Sequence, residues 1–178
     1  MLVPLVVVLL LLANVLGRDD DAEGADQVAD IGGAPSAPRG DLPPVEVDTP
    51  EVTPAAELAC PVLMAQLPLE VAGETSRLVD SDSLFAYAWG DPPAVLVCGV
   101  DPPAGFVVGG PQAIEVNGVQ WFIDTTDPDV YVWTTVDRNV PVQVTVPSSA
   151  DSAVPTVLSS LIGTSIPYVA PTPAPPTD

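Results

Sequence analysis

Apolar residues that recur with a folding period are confined to one stretch of this chain, residues 57–168, and Pro-rich sequence flanks that stretch on both sides. A stretch of that length supports one domain of ordinary size. Its front edge reads as a helix. Thr53 is an N-cap followed by Pro54 at the first helical position, and Leu58, Val62, Leu63 and Leu67 recur at helical spacing until Pro68. Pro61 interrupts that run, so the helix is alternatively expected to begin only there. After Thr75 the period shortens to two. Residues 84–89, 94–99, 118–124, 130–135 and 140–146 read as strands, separated by turns at Gly90, Asp91, Pro92 and Pro93, at residues 127–129 and at residues 137–139. A last helix, capped by Ser149, carries Val154, Val157, Leu158, Leu161 and Ile162 on one stripe. Helices at both ends of a run of strands predict an α+β domain, a small antiparallel sheet with the N- and C-terminal helices packed on one face.

The flanks cannot contribute to that core. Residues 18–56 are rich in Asp, Glu, Pro, Ala and Gly, with no aromatic residue and no sustained period. Such a segment buries too little apolar surface to offset the entropy of ordering, and it reads as an extended acidic spacer. Asp19, Asp20, Asp21 and Glu23 within it read as a solvated acidic run. Residues 169–178 read as a Pro-rich tail. Residues 1–17 are almost wholly apolar up to Leu16. As a helix the apolar run would span roughly 24 Å, against a hydrocarbon core of roughly 30 Å. It therefore reads as a signal peptide or a short N-terminal membrane anchor, which places the domain outside the cytoplasmic membrane. No Cys follows the apolar run, so no lipid-attachment site is read there.

Charge narrows the function classes. The chain has 24 acidic residues, four Lys plus Arg and no His, for a net charge of −20. Nucleic-acid binding needs clustered cations and is excluded on that ground. With neither His nor Lys, no Ser-His-Asp triad, Schiff base or P-loop lysine can be assembled. No metal site or cofactor is implied. Cys60 and Cys98 are the two cysteines. In an exported chain an even count argues for a disulfide, with two buried thiols or a redox pair as the alternatives. No basic residue flanks either cysteine to depress a thiolate pKa.

The candidate site residues are few. Phe85, Tyr87 and Trp89 share one strand face, with Ala86 and Ala88 opposite. They form either an aromatic platform for a sugar or peptide, or bulky core beneath a helix; Tyr131 and Trp133 pose the same choice. Arg77 and Arg138 stand in an acidic domain, each expected in an ion pair, Arg138 with Asp137 or with Asp91. Trp89, Asp91 and Arg138 together make the candidate ligand or structural site, with Arg77 beside it. Asp124, Asp127 and Asp129 read as an ordinary acidic turn in preference to a calcium loop.

One pattern is more specific. Ala88, Trp89, Gly90, Asp91 and Pro92, then Val95 through Cys98 and Gly99, Trp121, and Thr135 through Arg138 before a valine-rich strand, resemble a family of exported actinobacterial proteins of unknown function. The resemblance covers about residues 58–162. It implies export and a Cys60–Cys98 bond and brings no assigned activity. The expectation is a non-catalytic envelope protein, a binding or scaffolding module whose partner is an envelope protein or a glycan. The alternatives are a small-ligand or glycan binder using Trp89, Asp91 and Arg138, and a carboxylate-dependent hydrolase.

Overall fold

The computed structural model describes residues 38–173. The expected membrane-directed segment 1–17, spacer residues 18–37 and tail residues 174–178 lie outside the described residues. In chain order the elements are β1 (Val45–Glu46), α1 (Pro54–Met64), β2 (Glu70–Val71), β3 (Glu74–Arg77), β4 (Val79–Asp80), β5 (Ala86–Trp89), β6 (Ala94–Cys98), β7 (Ala113–Val116), β8 (Val119–Asp124), β9 (Val130–Thr135), β10 (Val142–Pro147) and α2 (Ala153–Ser165). An eight-stranded sheet runs β2-β3-β5-β6-β10-β9-β8-β7, with every neighbouring pair antiparallel. The two helices cover one of its faces, so the fold is α+β, as the change of period from 3.6 to 2 and back predicts. Among the described residues no helix is long and apolar enough to cross a membrane.

The core lies between the helices and that face. Trp89, Leu96, Cys98, Trp121, Trp133, Val142, Val144 and Val146 meet Ala56, Cys60 and Leu63 of α1 and Val154, Leu158 and Ile162 of α2. Trp121 shows how a polar handle is accommodated there. Its indole Nε1 donates to Ser159 Oγ at 2.9 Å, and that hydroxyl donates to the Pro155 carbonyl at 2.7 Å. An unpaired N–H at this depth would cost about 1–3 kcal/mol.

Cys60 and Cys98 are joined, with Cα atoms 5.8 Å apart, and the bond sets the rotation of α1. With Cys60 facing β6, Ala56 and Leu63 follow on the same side. Leu58, two residues and roughly 200° away, must point outward; it is 82 % exposed, and Val62 is 48 % exposed. The expected stripe through Leu58, Val62, Leu63 and Leu67 is therefore corrected: Ala56, Ala59, Cys60 and Leu63 are the buried residues of α1. Nor does the helix wait for Pro61. It begins at Pro54, with Thr53 Oγ1 accepting from the Ala56 amide at 3.2 Å, and runs through Pro61. Gly99 fits the same packing. Its φ is +96°, and a Cβ there would sit 3.0 Å from the Ala56 methyl, so any side chain would lift α1 from the sheet. In α2 the cap is Ser152 and not Ser149, and Asp151 Oδ1 accepts from the Ala153 amide at 2.9 Å.

Ordered pairing also reaches into the sequence expected as spacer. The Arg39, Val45 and Val47 amides donate to the carbonyls of Ser76, Leu78 and Asp80 at 2.8, 2.8 and 2.9 Å, and β1 pairs in parallel with β4. Backbone groups make these contacts, which is why apolar periodicity carries no trace of them. At the other end, residues 167 and 169 pair with 137 and 139 through Asn139 N–H to Pro167 O and Val169 N–H to Asp137 O, at 3.0 and 2.9 Å.

Candidate functional site

Trp89 and Asp91 line one small hollow of about 130 Å³ at the β5–β6 turn, and Arg138 is not brought to them. Trp89 is fully buried, with its Nε1 donating to the Pro68 carbonyl at 2.9 Å and its ring 4.6 Å from Tyr87. The core reading of the aromatic strand holds for it. Trp133 is likewise buried, its ring edge-to-face with Trp121 at 6.1 Å. Asp91 pairs with Arg77, Nη1 to Oδ1 3.6 Å, not with Arg138. Arg77 is nearly buried and is held mainly by carbonyls, Gly90 O at 3.1 Å and Pro43 O at 2.7 Å. Arg138 sits at the far end of β9, against Gly163 of α2. It donates to the Gly118 carbonyl, lies 5.8 Å from the Tyr168 ring centroid, and pairs with Asp137, Nε to Oδ1 3.5 Å. Both domain arginines are thus structural clamps, and the third described arginine, Arg39, pairs with Asp41. Asp124 and Asp127 each close their own turn, accepting from the amides of Thr126 and Asp129 at 2.9 and 2.8 Å.

Among the described residues Asp137 is the one carboxyl held above the ordinary range, because burial penalises its charge more than the Gln120 amide and the Arg138 cation favour it. The native state then keeps a proton that the unfolded chain has already lost. Its contribution to stability therefore grows as pH falls through the folded value toward the ordinary 3.8, and is least favourable above that window. Asp137→Asn removes the titration. Thermal unfolding should show wild type gaining on this variant as pH is lowered; a gain on raising pH would reverse the assignment.

The concave surface with convergent polar groups lies elsewhere, on the sheet face that carries no helix. The registers place Ala113, Phe122, Thr134, Gln143, Val97 and Ala86 in one row across that face. Asp124, Val132, Thr145, Val95, Ala88 and Arg77 form the next row. Residues 99–112 fold over part of the first row. Phe106 is buried, edge-to-face on Phe122 at 6.3 Å, and a Cβ on Gly105 would meet the Phe122 ring at 3.2 Å. Between this loop and the sheet is a cleft of about 310 Å³, lined by Asp101, Gln112, Phe122, Asp124, Thr134 and Gln143 among others. No arginine lines it.

Its two acids, Asp101 and Asp124, stand in one cleft, the arrangement a hydrolase would need. A general acid of that kind requires a raised pKa, and Asp124 is displaced the other way by hydrogen bonds from the Thr126 backbone and side chain. Asp137, the raised carboxyl, is not among the cleft's lining residues. The cleft presents amides, hydroxyls and carboxylates that can hold and orient a ligand.

Sequence reasoning missed this site because it is built from three strands and a loop distant in the chain. One local signal was available for the hairpin that carries its edge: Asn117 and Gly118, with φ of +48° and +77°, form the two-residue turn that joins β7 to β8 at the end away from the cleft.

No curated protein matches the chain, and no solved structure matches it. A family match, in contrast, spans residues 1–171, covering the first segment, the spacer and the domain alike. The chain belongs to the family described as Protein of unknown function (DUF3515).

Proposed function

We propose that this protein is a non-catalytic binding module displayed outside the cytoplasmic membrane, and that it meets its ligand or partner in the helix-free cleft. The cleft carries the reading: a concave site on the sheet gathers side-chain amides, hydroxyls and carboxylates from three strands and a loop. Loops supported by such a sheet are where binding residues concentrate. The Cys60–Cys98 bond supports the compartment, since disulfides persist where the surroundings are oxidising. The apolar residues 1–16 supply a route out of the cytoplasm, and the acidic sequence after them supplies reach. Scaffolding through the exposed outer side of α1 is the competing use of the same domain.

Hydrogen exchange of the full chain, alone and mixed with isolated cell envelope, tests this. Slowed exchange is expected in residues 101–112 and 122–126. Slowing confined to α1 and α2 would overturn the proposed site.

A further inference from the structure

Resting on that reading and deepening it, we infer that the cleft takes an uncharged, hydroxyl-rich ligand, of the chemistry of a neutral glycan unit. Electrostatics removes anions first. Asp101 and Asp124 line the cleft, no arginine does, and the chain as a whole carries −20, so phosphate or carboxylate ligands meet like charge without compensation.

The donor and acceptor inventory then selects among the rest. Gln112 and Gln143 each present a donor and an acceptor on one planar group, the pairing that adjacent hydroxyls satisfy. Among the described residues neither amide is hydrogen-bonded within the protein, whereas Gln66 is spent on Val62 O and Ser165 Oγ, at 2.8 and 3.1 Å. Asp124 accepts from the Thr126 amide through Oδ1, which fixes the carboxylate, and its remaining lone pairs can accept from a ligand hydroxyl. Phe122 supplies an apolar floor, held in place by Phe106, against which the C–H face of a sugar ring can pack. A wholly apolar ligand would strand these polar groups, at about 1–3 kcal/mol each. With about 310 Å³, the cleft stands at the small end of the roughly 300–1,000 Å³ range of ligand sites and suits a small unit of a longer chain.

Saturation-transfer NMR on the full chain tests the inference, with maltotetraose and an N-acetylglucosamine tetramer as neutral probes and tetralysine as the cationic one. Transfer to at least one neutral probe is expected, weakened tenfold or more by Gln143→Leu and by Gln112→Ala. Leu58→Ser, on the outer side of α1, should leave it unchanged. Unaltered unfolding temperatures confirm that the variants remain folded. Transfer to tetralysine alone overturns the ligand class while leaving the cleft as the binding site. Transfer to neither neutral probe overturns it too, and protection of residues 101–112 by envelope would then show that the site itself survives. Neutral-probe transfer indifferent to both glutamine variants overturns ligand class and site together.

Discussion

Replacing Cys60 and Cys98 together by alanine is expected to lower the unfolding free energy by about 4 kcal/mol, the chain-entropy value for closing a loop of this length. The two cysteines are 38 residues apart, so the bond removes much of the freedom of the unfolded chain between α1 and β6. Both side chains are buried in the core, and alanine there leaves no unpaired polar group. Stability of a domain this size is about 5–15 kcal/mol, so the loss is a large share of the whole. Denaturant unfolding of the oxidised protein and the double variant measures it. Peptide mass spectrometry without reductant on the protein recovered from outside the cytoplasm should show residues 60 and 98 linked. Free thiols at both positions in that fraction would contradict the bond.

Trp89→Ala should cost a comparable amount, about 3–5 kcal/mol, because it empties a large buried volume. The same substitution leaves the Pro68 carbonyl without its indole donor. Trp89→Phe keeps most of the packing and loses the hydrogen bond, so its cost should be about 1–3 kcal/mol. Denaturant unfolding of the two variants gives the ratio. If Trp89→Ala left stability unchanged but abolished envelope protection, the residue would be a ligand platform, and its assignment to the core would fail.

The strands of the central sheet were legible because alternation survives in short valine-rich runs such as Val142 to Val146. Alternation says that Gln143 and Thr145 share a face and Val144 does not. It does not say which face a helix covers. That depends on where α1 and α2 return, and α1 turns Cys60 and Leu63, not Leu58 and Val62, toward the sheet. Leu58 therefore misled, while the small residues Ala56 and Ala59 mark the face that approaches the sheet. The arginines were legible as ion-pair residues, and Asp137 was one of the two partners expected for Arg138; the Arg77–Asp91 pair was not expected. Arg77 finds Asp91 across the β3–β5 pairing, leaving Arg138 to its sequence neighbour Asp137. The pairing of residues 39–47 with residues 76–80 left no apolar signature, since main-chain groups carry it. The cleft was the least legible feature. Phe122, Thr134 and Gln143 become neighbours only through the β8-β9-β10 register, and each alone reads as an ordinary strand residue, while Gln112 lies in a loop outside every expected strand.

The account stands or falls on whether the helix-free face is the binding face. The most direct measurement compares Gln143→Arg, which puts a long cation into the cleft from a half-buried open-face position, with Asp91→Asn at the β5–β6 turn. Each full-length variant is mixed with isolated envelope, and hydrogen exchange is followed across residues 101–112 and 122–126. The account predicts that Gln143→Arg abolishes the protection with unchanged thermal stability, and that Asp91→Asn retains it. Protection kept by Gln143→Arg and lost in Asp91→Asn would contradict it and return the site to the turn beside Trp89.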